Sequence, residues 1–452
     1  SGPDHRLDVP RPDAVVDLDL QLAQPRAVTP GGGPQGVVDP DAVPAAVTIG
    51  EEQVLAVLVH ADEAQVVHRE VPSSVGPRRP DAGLRHRRCH RTGFDQRHHA
   101  GRAPAGSVDA VEARPDALAP YDAILLVSFG GPEGPDEVLP FLRRVTAGRG
   151  IPDERLVEVG RHYALFGGRS PINDANRALV ADLRARLDAR GIDVPIAWGN
   201  RNSSPFLADA AAELADGGAR RVLALLTSVW SSWSSCRQYR ENLADAFPAE
   251  LGIEVDKVRP YGPTPAFGEP AAQLVLAAIR DALTRYPAQD VHVLHVTHSI
   301  PLSMDETSGP GDGDGRAYSA DQAELAAAIT AEVDAVLGTD LPAGLAFCSR
   351  SGSPRTPWLE PDVNDRLREL ADEGVRHVVV VPIGFVSDHM EVTHDLDVEA
   401  AETAAEVGLG MTRVPTPGAD GDFVRGLVDV MLERAAQARG EVALAASIYR
   451  WY

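Results

Sequence analysis

From Tyr121 to about Ala436 the chain alternates short runs of Val, Ile and Leu with longer stretches of Ala, Leu, Arg and Glu whose apolar residues recur with helical period. The short runs predict strands at DAILLVS (122–128), VPIAWGN (194–200), RVLALLT (221–227), VHVLHVT (291–297), GLAFCS (344–349) and HVVVVPI (377–383). The longer stretches predict helices near 171–190, 205–217, 268–286, 319–337, 361–373 and 421–438. Side chains of a strand alternate between two faces, so a strand that is apolar throughout must be covered on both. Apolar strands separated by helices therefore predict an α/β fold with parallel sheets, flanking helices and right-handed crossovers. Two similar lobes are expected, 120–290 and 291–438, followed by a tail at 439–452.

Residues 1–119 lack this pattern: apolar residues are scattered among Pro, Gly, Asp and Arg, and VLAVLVH at 54–60 is the single strand-like run. RHRRCHRTGFDQRHHAGR at 85–102 gathers four histidines and Cys89, which invites a metal-site reading. Such residues in a segment without a core more often mark disorder. The region reads as a low-order N-terminal extension, either disordered or non-native sequence translated ahead of the true start. Mass spectrometry of the native N-terminus separates the two, a start near Tyr121 establishing the second.

Charge and cysteine content narrow the partners. The net charge of −23 opposes nucleic acid or an anionic membrane surface, and leaves small molecules or cations. Three cysteines, Cys89, Cys236 and Cys348, form no close pair, so neither a disulfide framework nor a local zinc site is encoded. With no signal-like start and no apolar run of membrane-spanning length, a cytoplasmic monomer is expected. Lys257 is the sole lysine, a compositional bias without mechanistic content.

In open α/β sheets ligands bind beyond the carboxyl ends of strands, so the residues that follow the strands matter most. After VHVLHVT comes His298-Ser299-Ile300-Pro301, where the proline ends the strand and leaves a histidine at its tip. After HVVVVPI comes a segment dense in ionisable groups: Asp388, His389, Glu391, His394, Asp395, Asp397 and Glu399. On a continuing α-helix, Glu391, Asp395 and Glu399 would fall at i, i+4 and i+8 as a carboxylate stripe, which needs a cation or a solvated face. His389 and His394 are five apart, about 140° around such a helix, which excludes a zincin pair. Serine hydrolysis at Ser299 is opposed by the lack of a nucleophile elbow. SFGGPEG at 128–134 is a poor phosphate loop, since Pro132 lacks an amide donor and Glu133 repels anions; its glycines are expected to let backbone approach a flat ligand. The Asp312-Gly-Asp314-Gly loop fails as a calcium site because Arg316 and Ala323 stand at ligand positions.

Taken in order, FGGRSPIN (166–173), GNRN (199–202), THSIP (297–301), SRSGSP (349–354) and GFVSDHMEV (384–392) resemble the ferrochelatase family, in its actinobacterial form. The resemblance implies two Rossmann-like lobes of the chelatase type with a porphyrin held in the cleft between them, and insertion of ferrous iron, the metal substrate, in haem biosynthesis. It implies that His298 and Glu391 face the macrocycle centre, and that Asp395 and Glu399 belong to an acidic ridge proposed as a path for metal or protons. Ser170 and Tyr239 match porphyrin-holding positions. Phe129 stands where some members carry a tyrosine that ligates the product iron, so no such ligand is expected. Cys236 matches one ligand of the [2Fe-2S] cluster that many actinobacterial members hold, yet ARGEVALAASIYRWY contains none of the others, and no cluster is expected. The substrate expected is coproporphyrin III, giving coproheme; the alternatives are protoporphyrin IX, a sister chelatase for cobalt or nickel, or a porphyrin- or haem-binding protein without turnover.

Overall fold

The structure is a computed structural model that describes residues 116–441, apart from 149, 310–314, 351–354 and 419. The strand-like run at 54–60, the histidine-rich stretch at 85–102, Asp312 and Asp314, the end of the SRSGSP motif and the tail from 442 lie outside the described residues.

Two four-stranded parallel sheets carry the fold. The first comprises β1 (Ala123–Ser128), β2 (Ile196–Asn200), β3 (Arg221–Leu226) and β4 (Glu254–Lys257), in the order β2-β1-β3-β4. The second comprises β5 (Val291–His298), β6 (Ala343–Cys348), β7 (His377–Val381) and β8 (Gly410–Arg413), in the order β6-β5-β7-β8. The two orders are the same when strands are counted within each sheet. In both, the connections leave the first strand in opposite directions, which opens a crevice at its carboxyl end. Ser128 and His298 end those two first strands.

Four of the six apolar runs form the interior strands β1, β3, β5 and β7, where both faces are covered, and β1, β5 and β7 are buried at every position, while the runs of β2 and β6 form one edge of each sheet. The edge strands β4 (EVDK) and β8 (GMTR) carry no apolar run and stay partly exposed; sequence pattern did not mark them. The outer faces bury separate clusters, around Leu125, Val222 and Tyr239 on the first sheet and Leu294, Val378 and Leu396 on the second. Their inner faces share one continuous core, in which Leu126 and Leu225 of the first join Val293, Val379 and Val381 of the second.

Two helices sit within that shared core. Pro265–Leu283 precedes the second sheet, and Gly421–Ala438 follows it yet packs on Pro265–Leu283 and on Ile172–Asp188 beside the first. A Cβ on Gly426 would lie 2.6 Å from the Ala266 Cα, so the close crossing of these helices requires glycine there. Two further helices, Pro135–Val145 and Asp153–Leu165, form a small cluster of their own with Phe141, Val159 and Tyr163, and Met390 from the second sheet's loop completes it.

Candidate active site

Between the carboxyl ends of the two sheets lies a solvent-open cavity with about 1080 Å³ of empty space. Phe129, Ser170, Arg201 and Tyr239 line it from the first sheet's side, and His298 and Glu391 from the second's. The porphyrin-site positions expected from sequence and the His298–Glu391 pair thus converge on one space.

His298 reaches it because β5 runs three residues beyond its last pairing with β7, His295 with Val381. Gly384, just after β7, crosses so close to the end of β5 that a Cβ there would sit 2.4 Å from Thr297 Oγ1, and its N–H donates to the Val296 carbonyl. This contact steers the loop 384–389 across the strand tip and brings Glu391 beside His298: Nε2 and Oε2 are 3.9 Å apart. His298 Nδ1–H donates to the Ser299 carbonyl, and the Tyr318 hydroxyl donates to the carbonyl of His298 at 2.8 Å. The first bond places the ring's proton on Nδ1 and its lone pair on Nε2, the atom nearest Glu391.

The pair is not an ion pair at neutral pH. Burial pushes the His298 pKa below the ordinary value, against the opposing pull of the Ser299 carbonyl and Asp395, so the ring is neutral. Burial, reinforced by the negative charge of Asp395, raises Glu391 to about 8, so the carboxyl is largely protonated. His389, also on the cavity wall, is held at about 4 by burial and by its neighbour His298. The cavity therefore presents neutral proton-exchanging groups on one wall, which suits a site that must trade protons for a cation.

The acidic segment departs from the continuous α-helix on which the stripe was drawn. Met390–Val392 is a single short turn, and Thr393–Glu399 follows as a π-helix, closed by i→i+5 hydrogen bonds. Residues five apart are therefore stacked, and His394 lies over Glu399 with Nδ1 3.5 Å from Oε1. Asp395 stays buried between the two groups, accepting from the Ser349 hydroxyl through Oδ2. His389 faces the cavity and His394 does not, so the two histidines do not converge, in agreement with the exclusion of a zincin pair.

Arg413, on the edge strand β8, fixes this segment from outside. It donates to Asp388 Oδ1 at 2.8 Å and makes a forked contact to Asp397 at 2.7 and 2.8 Å. Only 18% of its side chain is exposed, so Arg413→Met strands two partly buried carboxylates. A loss of about 1–3 kcal/mol in unfolding free energy is expected, to be read from denaturant midpoints; a midpoint equal to the parent's would show that the pairings carry no net stability.

The glycines of SFGGPEG serve the protein more than a ligand. A Cβ on Gly131 would meet Ser170 Cβ at 2.6 Å, and Gly130, at φ +79, faces Asn200 and Ser203. The loop is thus packed against the GGRSP segment and holds Ser170 at the cavity wall. Arg201, of the GNRN motif, lies over the Tyr239 ring at 4.5 Å and 5.5 Å from the Phe129 ring. It is the single arginine or lysine lining the cavity among the described residues.

The ferrochelatase family model matches residues 121–435. The chain belongs to the ferrochelatase family. Curated relatives within it named coproporphyrin III ferrochelatase include one from Streptomyces griseus, 51% identical over 329 residues, covering 71% of this chain and 88% of that one. Another from Streptomyces coelicolor is 51% identical over 336 residues, covering 72% and 89%. One from Propionibacterium freudenreichii is 47% identical over 338 residues, covering 73% and 92%. The matched span of this ferrochelatase-family chain includes both sheets and every residue of the site described above.

Sequence reading missed Tyr163 and His162, both on Asp153–Leu165. That helix has a weak apolar stripe, and its functional residues follow no strand. The signal that was available is their place immediately before the FGGRSP motif. Tyr163 lines the cavity, and burial together with the nearby Glu391 charge raises its phenol pKa, so it stays protonated.

Proposed function

We propose that this protein inserts ferrous iron into coproporphyrin III to give coproheme, as a haem-biosynthetic enzyme. The observation that carries the reading is the neutral His298–Glu391 pair, 3.9 Å apart on the wall of a cavity whose other wall is lined by Phe129, Ser170, Arg201 and Tyr239. Insertion requires two pyrrole N–H protons to leave as the hydrated ion sheds water. Neutral His298 accepts one pyrrole proton through Nε2; as the cation arrives Glu391 becomes its carboxylate ligand, and the Glu391 proton and the second pyrrole proton leave with the water that the ion sheds. Asp395, behind Glu391, and Glu399, toward the surface, supply negative charge along the side from which a cation would come.

Opposite this wall, Ser170, Arg201 and Tyr239 offer hydroxyl and guanidinium donors to the propionates that rim a porphyrin. A coproporphyrin, with more propionates than protoporphyrin IX, fits a wall so equipped, and the relatives at about half identity bear the corresponding name. The sheets act as lobes 120–290 and 291–438 closing on the macrocycle. A cytoplasmic monomer without a [2Fe-2S] cluster accompanies this reading, since the three cysteines of this chain cannot supply four thiolates. Among the described residues no helix is long and apolar enough to cross a membrane.

The deciding experiment is an anaerobic assay with ferrous iron and either coproporphyrin III or protoporphyrin IX, followed by visible absorption. Faster turnover of coproporphyrin III supports the reading; turnover of protoporphyrin IX alone moves the substrate, and no turnover of either leaves a binding protein.

Phe129 offers a separate check on the product. Its ring packs edge-on against Phe141, with centroids 6.1 Å apart, and cannot ligate iron, while Tyr163 is kept protonated. Phe129→Tyr is expected to introduce a phenolate-to-iron charge-transfer band in the ferric product complex that the parent lacks. An unchanged spectrum would place residue 129 out of reach of the iron.

A further inference from the structure

The tip of β5 is held from two sides, and one of the two holds is a side chain. Toward β6, Ser299 N–H donates to the Cys348 carbonyl at 2.8 Å and continues the strand pairing. Toward β7, the regular pairing stops at His295, and the loop after β7 supplies one more donor, Gly384 N–H to the Val296 carbonyl. Carbonyls on one edge of a strand recur at every second residue, so the next on that side belongs to His298. Its donor is the hydroxyl of Tyr318, 2.8 Å away on the helix Ala317–Leu337. A buried carbonyl needs a partner, and here a phenol takes the place of the backbone donor that a longer β7 would give.

We infer that Tyr318 is a positioning residue for the His298–Glu391 pair, aiming the imidazole and steadying the loop that carries the carboxyl through one hydroxyl. The peptide between His298 and Ser299 is bonded at both its polar groups, the carbonyl to Tyr318 and the N–H to Cys348, which fixes its plane. The imidazole hangs from this peptide and is tied through Nδ1 to the next carbonyl, that of Ser299. With the plane fixed, Nε2 keeps its direction toward Glu391. The loop is reached through Thr297, whose Oγ1 lies 3.5 Å from the phenol oxygen. Gly384 packs against that same threonine at the start of the path to Glu391.

The phenol is itself anchored. Tyr318 N–H donates to Ser308 Oγ at 2.9 Å, and the next residue, Ser319, donates its N–H and its hydroxyl to the two carboxylate oxygens of Asp305 at 3.0 and 2.7 Å. The Gln322 amide donates to the Tyr318 carbonyl at 3.0 Å. Tyr318 is buried, belongs to the core shared by the two sheets, and also lines the cavity. Burial raises its phenol to about 12, so it remains a donor at neutral pH. Phenylalanine would fill the same apolar space, so the hydroxyl contributes aim rather than packing.

The kinetic consequence rests on the proposed iron insertion, whereas the geometry does not. Tyr318→Phe in the full chain, assayed anaerobically with ferrous iron and coproporphyrin III, should lower kcat about 10–100-fold, the scale of a misaimed reacting group. KM for the porphyrin should stay within about twofold, since the opposite wall is untouched. A kcat within about twofold of the parent's overturns the inference. So does a raised KM at unchanged kcat, which would make Tyr318 part of the porphyrin wall and nothing more. Ser308→Ala keeps the phenol but frees the turn that aims it, and a fall in kcat of about threefold to tenfold at constant KM is expected. It carries the test should Tyr318→Phe fail to fold, and an unchanged kcat there counts against the inference equally.

Nitrogen-15 spectra of the histidines in the porphyrin-free protein, with His298→Ala to mark the signal, give a readout independent of turnover. The parent should hold His298 as one tautomer, protonated on Nδ1, and Tyr318→Phe should show the two tautomers mixed. A single parent-like tautomer in the variant overturns the inference whether or not the protein metallates a porphyrin. Mixed tautomers in Tyr318→Phe, beside a parent that metallates neither porphyrin, would instead sink the proposed function and leave Tyr318 as the residue that aims His298.

Discussion

Replacing His298 with alanine is expected to slow ferrous-iron insertion at pH 7 by about 10²–10⁴-fold, the range for loss of a positioned proton acceptor. The ring is poised for that role by two features. Burial keeps it neutral, and the Ser299 carbonyl holds its proton on Nδ1, so the lone pair sits on Nε2 toward Glu391. Neither feature concerns porphyrin binding, which is set by the aromatic and polar lining of the opposite wall. The loss should therefore fall on kcat, with KM for porphyrin changed only a few-fold. Anaerobic stopped-flow absorption at saturating porphyrin separates the two, and an unchanged kcat would remove His298 from the chemistry. The depressed pKa also fixes a sign: the acid limb of kcat/KM in the parent protein lies below the pH at which an ordinary histidine titrates.

Glu391→Gln should have two effects of opposite kind: insertion falls by a comparable factor, while the porphyrin-free protein becomes more stable in alkali. Burial and Asp395 raise the Glu391 carboxyl from its ordinary 4.5 to about 8. Between those values the folded protein holds a proton that the unfolded chain has released. Stability therefore falls as pH rises through this window, and the penalty is complete above about 8. At about 1.36 kcal/mol per pKa unit, it amounts to a few kcal/mol. Glutamine fills the same space without a charge to desolvate. Thermal melts of the two proteins should nearly coincide near pH 4.5 and diverge steadily toward pH 9, with the variant higher. Parallel curves would mean that Glu391 ionises as freely in the fold as in water. The pairing of lost activity with gained stability marks a carboxyl kept at a cost for the sake of its proton.

How far the sequence foretold the molecule depended on what each residue packs against. The six apolar runs became strands within a residue or two of their expected ends, and the four interior ones are the clearest because burial on both faces leaves an unbroken apolar signature. The edge strands Glu254–Lys257 and Gly410–Arg413 bury one side at most and left none. His298 and Glu391 were legible because both follow apolar strands. Their mutual approach was not, since it depends on Gly384 passing Thr297, a contact between segments far apart in the chain. The acidic segment was readable as a cluster but not in its winding: a π-helix reassigns neighbours from four apart to five, and no residue in THDLDVE announces it. His162 was invisible for the same reason as Gly384, its partner His394 lying 232 positions away.

The helix Gly421–Ala438 bears on how such a molecule is made. Phe423, Val424, Leu427 and Met431 are buried in the core that holds Tyr261, Phe267 and Leu183, residues translated long before them. Arg259 and Arg190 wait likewise for Glu433 and Asp429. During vectorial synthesis the amino-terminal sheet can pair its strands as they emerge, but its inner helical layer stays open until Gly421–Ala438 leaves the ribosome. A nascent chain stalled before residue 421 would present Phe267 and its neighbours to chaperones, and the early half of the protein reaches its final packing only when the late half is complete.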